Sequence, residues 1–129
     1  MIWQVGTNAA WKNYVLADVR TAILGGLDQL KDYPADVVLM NLQYAPALLD
    51  QERPKPATQE MLDIIASIAE ISKVGLLRRF EIMRYRHRQG GVPFDQMISN
   101  FDGNRLHQND WSYNCIAEAL DDAIADAMD

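Results

Sequence analysis

The chain is predicted to be an α/β protein, a parallel sheet covered by helices on both faces. Three observations carry this: short, nearly all-apolar runs of strand length, longer segments with apolar residues at helical spacing, and the separation of the former by the latter. Separation of this kind implies right-handed crossover connections. Met1 to Val5 is the first strand and stops at Gly6. Trp11, Tyr14, Val15, Ala17, Val19, Ala22, Ile23, Leu27 and Leu30 then recur at helical spacing up to Lys31, despite the weakening Gly25-Gly26 pair. Asp32-Tyr33-Pro34 ends that helix, and Asp36 to Leu42 is the clearest strand, expected at the centre of the sheet.

From Gln43 to Pro56 three prolines and several polar residues predict a loop without regular structure, at the strand end where α/β proteins usually place their sites. A second helix is expected from Thr58, as its N-cap, to about Ser72, burying Met61, Leu62, Ile64, Ile65, Ile68 and Ile71. Val74 to Leu77 is a short third strand. An arginine-rich helix from Phe80 to about Gln89 closes at Gly90-Gly91, and a short segment follows around Phe94 to Ile98. Trp111 to Met128 is the last helix, with Tyr113, Ile116, Ala117, Leu120, Ile124 and Ala127 on one face.

At 129 residues the chain has the length of one domain. A hydrophobic fraction of 49% with eleven aromatic residues describes a folded rather than a disordered chain. A formal net charge of -6 argues against nucleic acid or an anionic membrane surface as partner, since both need a positive field. Arg78, Arg79, Arg84, Arg86 and Arg88, with His87, are a local exception, read as a solvated helix face paired to Asp and Glu. The single cysteine, Cys115, cannot form an internal disulfide and is read as a small core residue. No apolar run reaches the roughly 20 residues of a membrane span, and no signal-peptide pattern opens the chain. The default location is cytoplasmic, although a truncated amino terminus would have lost any such signal. Two histidines without nearby cysteines or clustered acids argue against a zinc site.

Two short signatures bear on chemistry. Gly6-Thr7-Asn8 stands where the first strand opens into a loop, and a side-chain amide there can donate to an oxyanion. His107 lies on a loop just before the last helix with acids a few residues away, where one partner can orient the imidazole while it acts on another. The stretches Ile2-Trp3-Gln4-Val5-Gly6-Thr7-Asn8 and His107-Gln108-Asn109-Asp110-Trp111-Ser112-Tyr113, continuing through Ile116-Ala117-Glu118-Ala119-Leu120, together resemble the SGNH (GDSL-type) hydrolases. The resemblance implies a flavodoxin-like three-layer fold and an esterase of acyl or acetyl groups, on a carbohydrate or a lipid. It implies His107 as general base and acid, Asp102 as its orienting carboxylate and Asn8 as oxyanion-hole donor, with Gly6 and Thr7 against the substrate. It implies no metal and no organic cofactor.

The chain departs from the family pattern in three places. Ala9 stands where the family's Gly-x-Asn is followed by an acid. The family's Asp lies three residues before its His, a position held here by Asn104; either an insertion carries Asp102 into place, the reading followed here, or Asn104 occupies it. No serine follows a Gly-Asp: Ser67, Ser72, Ser99 and Ser112 all lie in other contexts, and only five residues precede Gly6. The expectation is a carboxyl-terminal fragment or the product of an internal start, ahead of a genuine short variant. It would be inactive alone and would carry an unprotected sheet edge. The competing expectation is a non-catalytic module that pairs through that edge, as a homo-oligomer or with another chain.

Overall fold

Val38, Leu39 and Met40 form the central strand of a three-stranded parallel sheet, because a run of apolar residues on both faces is stable only where both faces are shielded. In the computed structural model, which describes residues 1–128, β1 (Ile2–Gln4) lies on one side of β2 (Val38–Met40) and β5 (Gly75–Leu77) on the other. The register pairs Ile2, Trp3 and Gln4 with Val38, Leu39 and Met40, and these with Gly75, Leu76 and Leu77. The class is α/β, with β2 central as expected. The chain divides into two compact units, 1–42 with 48–78, and 43–47 with 79–128.

The first unit holds the sheet, with α1 (Thr7–Trp11), α2 (Leu16–Leu30) and α3 (Pro56–Ser72). Both crossovers step the same way across the sheet, and α2 and α3 pack against each other, so within this unit the two crossover helices share one face. The Trp3 ring lies over Gly26, where a β-carbon would come within 2.5 Å of it. Gly26 thus serves the contact between β1 and α2 rather than merely weakening a helix. Leu39, Met61, Ile65 and Ile68 are fully buried in this core.

Four expectations are corrected here. The helix expected from Trp11 to Lys31 is two helices. Asn13 takes a left-handed φ of 53°, and the Tyr14 amide donates back to the Ala9 carbonyl at 3.0 Å, which closes α1 and forces a new start at Leu16. The segment expected to be irregular contains a 3₁₀ turn (Pro46–Leu48) and a hairpin of β3 (Leu49–Asp50) and β4 (Arg53–Pro54). Gln51 and Glu52 both take positive φ, the geometry that matches a two-residue loop to the twist of its strands, and Pro54 is tolerated in so short a ribbon. Thr58 is not the cap of α3: the helix begins at Pro56, the cap position is Lys55, and the buried Thr58 hydroxyl donates to the Leu48 carbonyl at 2.9 Å. Ile71, placed on the buried stripe, is exposed, with Ala69 buried instead.

The second unit contains α4 (Arg79–Arg88), α5 (Phe94–Met97) and α6 (Asp110–Met128), with the strand-end segment 43–47. Tyr44 is its aromatic centre, edge-on to Phe80 at 5.2 Å and stacked on Phe94 at 5.4 Å, and Phe94 in turn stacks on His87 at 4.0 Å. Cys115 is buried, but the face expected along α6 is covered only through Ile116. Among the described residues no helix is long and apolar enough to cross a membrane.

Candidate functional site

The loop carrying His107 is shaped by two sets of backbone bonds. Ile98 and Gln108 form an isolated antiparallel bridge, the Ser99 amide donates to the His107 carbonyl at 2.8 Å, and the Asn109 amide donates to the Met97 carbonyl at 3.1 Å. From the other side, the segment leaving β2 braces the same loop: Gln43 Nε2 donates to the Leu106 carbonyl at 3.0 Å, and the Ala47 amide to the Arg105 carbonyl at 3.2 Å. Asn109 then caps α6, its Oδ1 accepting from the Ser112 amide at 3.0 Å and its Nδ2 donating to the Gln96 carbonyl at 2.6 Å. His107 is therefore held at both flanks.

Asp102 sits in a tight turn that includes Gly103 at φ 71° and Arg105 at φ 53°. Its Oδ1 accepts from the Asn104 amide at 3.0 Å and its Oδ2 from Asn104 Nδ2 at 3.2 Å, while His107 Nδ1 lies 2.9 Å from Oδ2. That last approach is close, but its alignment falls short of an N–H···O bond. Asn104 thus engages the carboxylate rather than the ring. The Asn104 amide, first among the causes, holds the Asp102 carboxyl below its ordinary value; partial burial opposes this, and the Asn104 side chain and His107 add to it. The His107 side chain is 43% exposed although Nδ1 is buried, so it is the Nε2 edge that faces outward, and no protein group among the described residues bonds to Nε2. The Phe101 ring tilts against the imidazole at 5.6 Å. A carboxylate on one nitrogen and an open second nitrogen is an arrangement that can accept and return a proton.

Gly6, Thr7 and Asn8 belong to the other compact unit. They do not open a loop: Gly6, at φ 94°, turns the chain directly into α1, Thr7 is buried in its first turn, and Asn8 is an exposed helical residue whose carbonyl accepts from the Lys12 amide. The reason is local. A β-carbon at Gly6 would lie 2.9 Å from both Ile65 Cδ1 and Met61 Cγ, so glycine is required there by packing against α3 as much as by its φ.

No serine hydroxyl among the described residues bonds to the His107 ring. Ser112 is fully buried and its hydroxyl donates to the Met97 carbonyl at 2.6 Å, and Ser99 Oγ accepts from the Phe101 amide at 3.4 Å. Ser67 and Ser72 lie on α3. Among the described residues no group of three or more His, Cys, Asp or Glu is placed to hold a metal ion.

Sequence reasoning missed Arg79 and Gln108. Arg79 is 1% exposed rather than solvated, its Nη1 3.4 Å from Gln108 Oε1, beneath the His107 loop. Burial pushes its guanidinium down to about 10, with Tyr113 acting in the opposite direction, so it stays charged at neutral pH. Nothing in the Arg78-Arg79 pair marks which one turns inward. The remaining arginines correct a second expectation: among the described residues no carboxylate lies within ion-pair distance of Arg84, Arg86 or Arg88. No protein-family model and no curated protein matches the chain.

Proposed function

We propose that Asp102 and His107 are the orienting acid and the general base of an SGNH-type ester hydrolase acting on an acyl or acetyl ester. The observation that carries this reading is the Asp102 carboxylate 2.9 Å from Nδ1 of a ring whose Nε2 edge is open. In this reading a serine hydroxyl attacks the ester carbonyl, and His107 takes its proton at Nε2 and returns it to the departing alcohol. Asp102 stabilises the imidazolium; Asn8 as oxyanion donor, with Gly6 and Thr7 against the substrate, is what the family resemblance alone implies. The flavodoxin-like three-layer form of the fold belongs to the same proposal. The serine is not supplied by any Gly-Asp-Ser in these 129 residues, so this chain by itself is expected to hydrolyse p-nitrophenyl acetate without dependence on His107.

The test joins the chain to the codons upstream of Met1, translated in frame. An extension bearing Gly-Asp-Ser, with hydrolysis that disappears on His107→Ala and drops on Asp102→Ala, supports the reading. A stop codon directly upstream, or an extended chain whose activity ignores His107, refutes it.

A second reading, a non-catalytic module pairing through its sheet edge, is favoured by β1. That strand lies at the edge of the sheet, Ile2 is exposed, and Met1, Ile2, Trp3, Leu30 and Tyr33 line a groove of about 490 Å³ beside it. Here Ile2→Lys is expected to abolish self-association seen by light scattering.

A further inference from the structure

We infer that the far half of α6 docks on α4 of a second copy of this chain, giving a two-fold dimer. Buried residues on α6 end at Ile116, and from Ala117 to Met128, about 18 Å of helix, every residue is exposed or only half-buried. Ile124 is 49% exposed and Met128 83%, and with Tyr113, Ala117 and Leu120 they recur at helical spacing as one apolar stripe. A helical half this short and unsupported is marginal in water, so a stable α6 needs something against that stripe.

Charge identifies what fits. Glu118 and Asp121 flank the stripe on one side, Asp122 and Asp126 lie on the opposite face, no Lys or Arg occurs in α6, and no cation among the described residues pairs with these acids. Two α6 helices side by side would set like charges against each other. α4 is the opposite case: among the described residues no carboxylate lies within ion-pair distance of Arg84, Arg86 or Arg88, in a chain whose net charge is -6. Around Arg84 and Arg88 lies a shallow groove of about 410 Å³, shared with Glu81, Gln89 and Tyr85, the last 62% exposed.

The aliphatic stems of the two arginines and the Tyr85 ring offer an apolar bed for Ile124, and their guanidinium heads can reach the flanking acids. α6 touches its own α4, but the helix runs unbroken to Met128 and none of its residues lines the groove around Arg84 and Arg88. A second copy presents both surfaces at once. Each α6 meets the partner's α4, the contact is repeated by the two-fold axis, and the dimer closes.

The experiment is sedimentation velocity on wild type and three variants at low salt, with circular dichroism to verify that each is folded. Wild type is expected to dimerise with a micromolar dissociation constant that weakens as salt rises. Arg84→Glu/Arg88→Glu places acid against acid, and Glu118→Arg/Asp121→Arg places base against base. Each is expected to weaken self-association by about tenfold or more. An equimolar mixture of the two restores opposite charges at both contacts and is expected to dimerise again. Ile124→Lys, which keeps the helix but removes the anchor, is expected to leave a monomer. A wild type that stays monomeric at about 100 μM, charge variants that associate as well as wild type, or a mixture that stays monomeric would overturn the inference.

Discussion

Replacing Gly6 with alanine separates what the Gly-Thr-Asn turn does for the fold from what it does for chemistry. At φ 94° an alanine costs about 1–2 kcal/mol in backbone strain. The added methyl lies 2.9 Å from Ile65 Cδ1 and Met61 Cγ and 3.1 Å from Leu42 Cδ1, side chains of a packed core. Overpacking of that kind adds about 1–3 kcal/mol, for a total of about 2–5 kcal/mol. The assay is urea unfolding followed by tryptophan fluorescence, with Gly25→Ala and Gly26→Ala as controls. Gly25 sits within α2 with nothing within 4 Å of a β-carbon, so alanine is expected to stabilise by about 0.5–1 kcal/mol through helix propensity. At Gly26 the same propensity gain meets the Trp3 ring at 2.5 Å, and a net loss is expected. A Gly6→Ala loss below about 1 kcal/mol would refute this packing account and leave Gly6 to be explained by the site.

Other expectations concern the supports of the His107 loop and the start of α3. Asn109→Ala removes the cap of α6 and is expected to cost about 1 kcal/mol, measured by thermal unfolding. Thr58→Val removes one of two donors to the Leu48 carbonyl, which keeps the Lys55 amide at 3.1 Å, and is expected to cost about 0.5–1.5 kcal/mol in urea. Asp102 has a carboxyl lowered in the folded state, so its contribution is present above the ordinary carboxylate value and is lost as pH falls through the folded value. Stability measured against pH should therefore decline on the acid side in the native protein, and Asp102→Asn should flatten that part of the curve. A curve unchanged by the substitution would contradict the Asn104 and His107 contacts as the cause.

The elements easiest to read were those with long apolar periodicity. Asp36 to Leu42 announces a shielded strand, and β2 is indeed central; Met61, Leu62, Ile65 and Ile68 announce the buried face of α3. What was harder to read turns on single residues. Asn13 in the left-handed region splits a helix whose apolar spacing runs straight through the break. Gln51 and Glu52, ordinary residues for a helix, adopt the conformation usually given to Asn-Gly, so the hairpin has no compositional signal. Arg79 and Arg78 are alike in sequence, yet only the former is buried, a consequence of where α4 begins. Within the candidate site the loop position of His107 was legible from its place before the last helix. The bracing by Gln43 and Ala47 was not, because it joins segments some sixty residues apart.

The most direct measurement is the tautomer of the neutral His107 ring, read from long-range ¹⁵N–¹H NMR correlations. With Asp102 against Nδ1, the account predicts a proton on Nδ1 and a bare Nε2 ready to accept one, and a shift toward the Nε2-protonated form in Asp102→Ala. A native ring already protonated on Nε2, or one indifferent to Asp102, would contradict the assignment of these two residues as an acid–base pair.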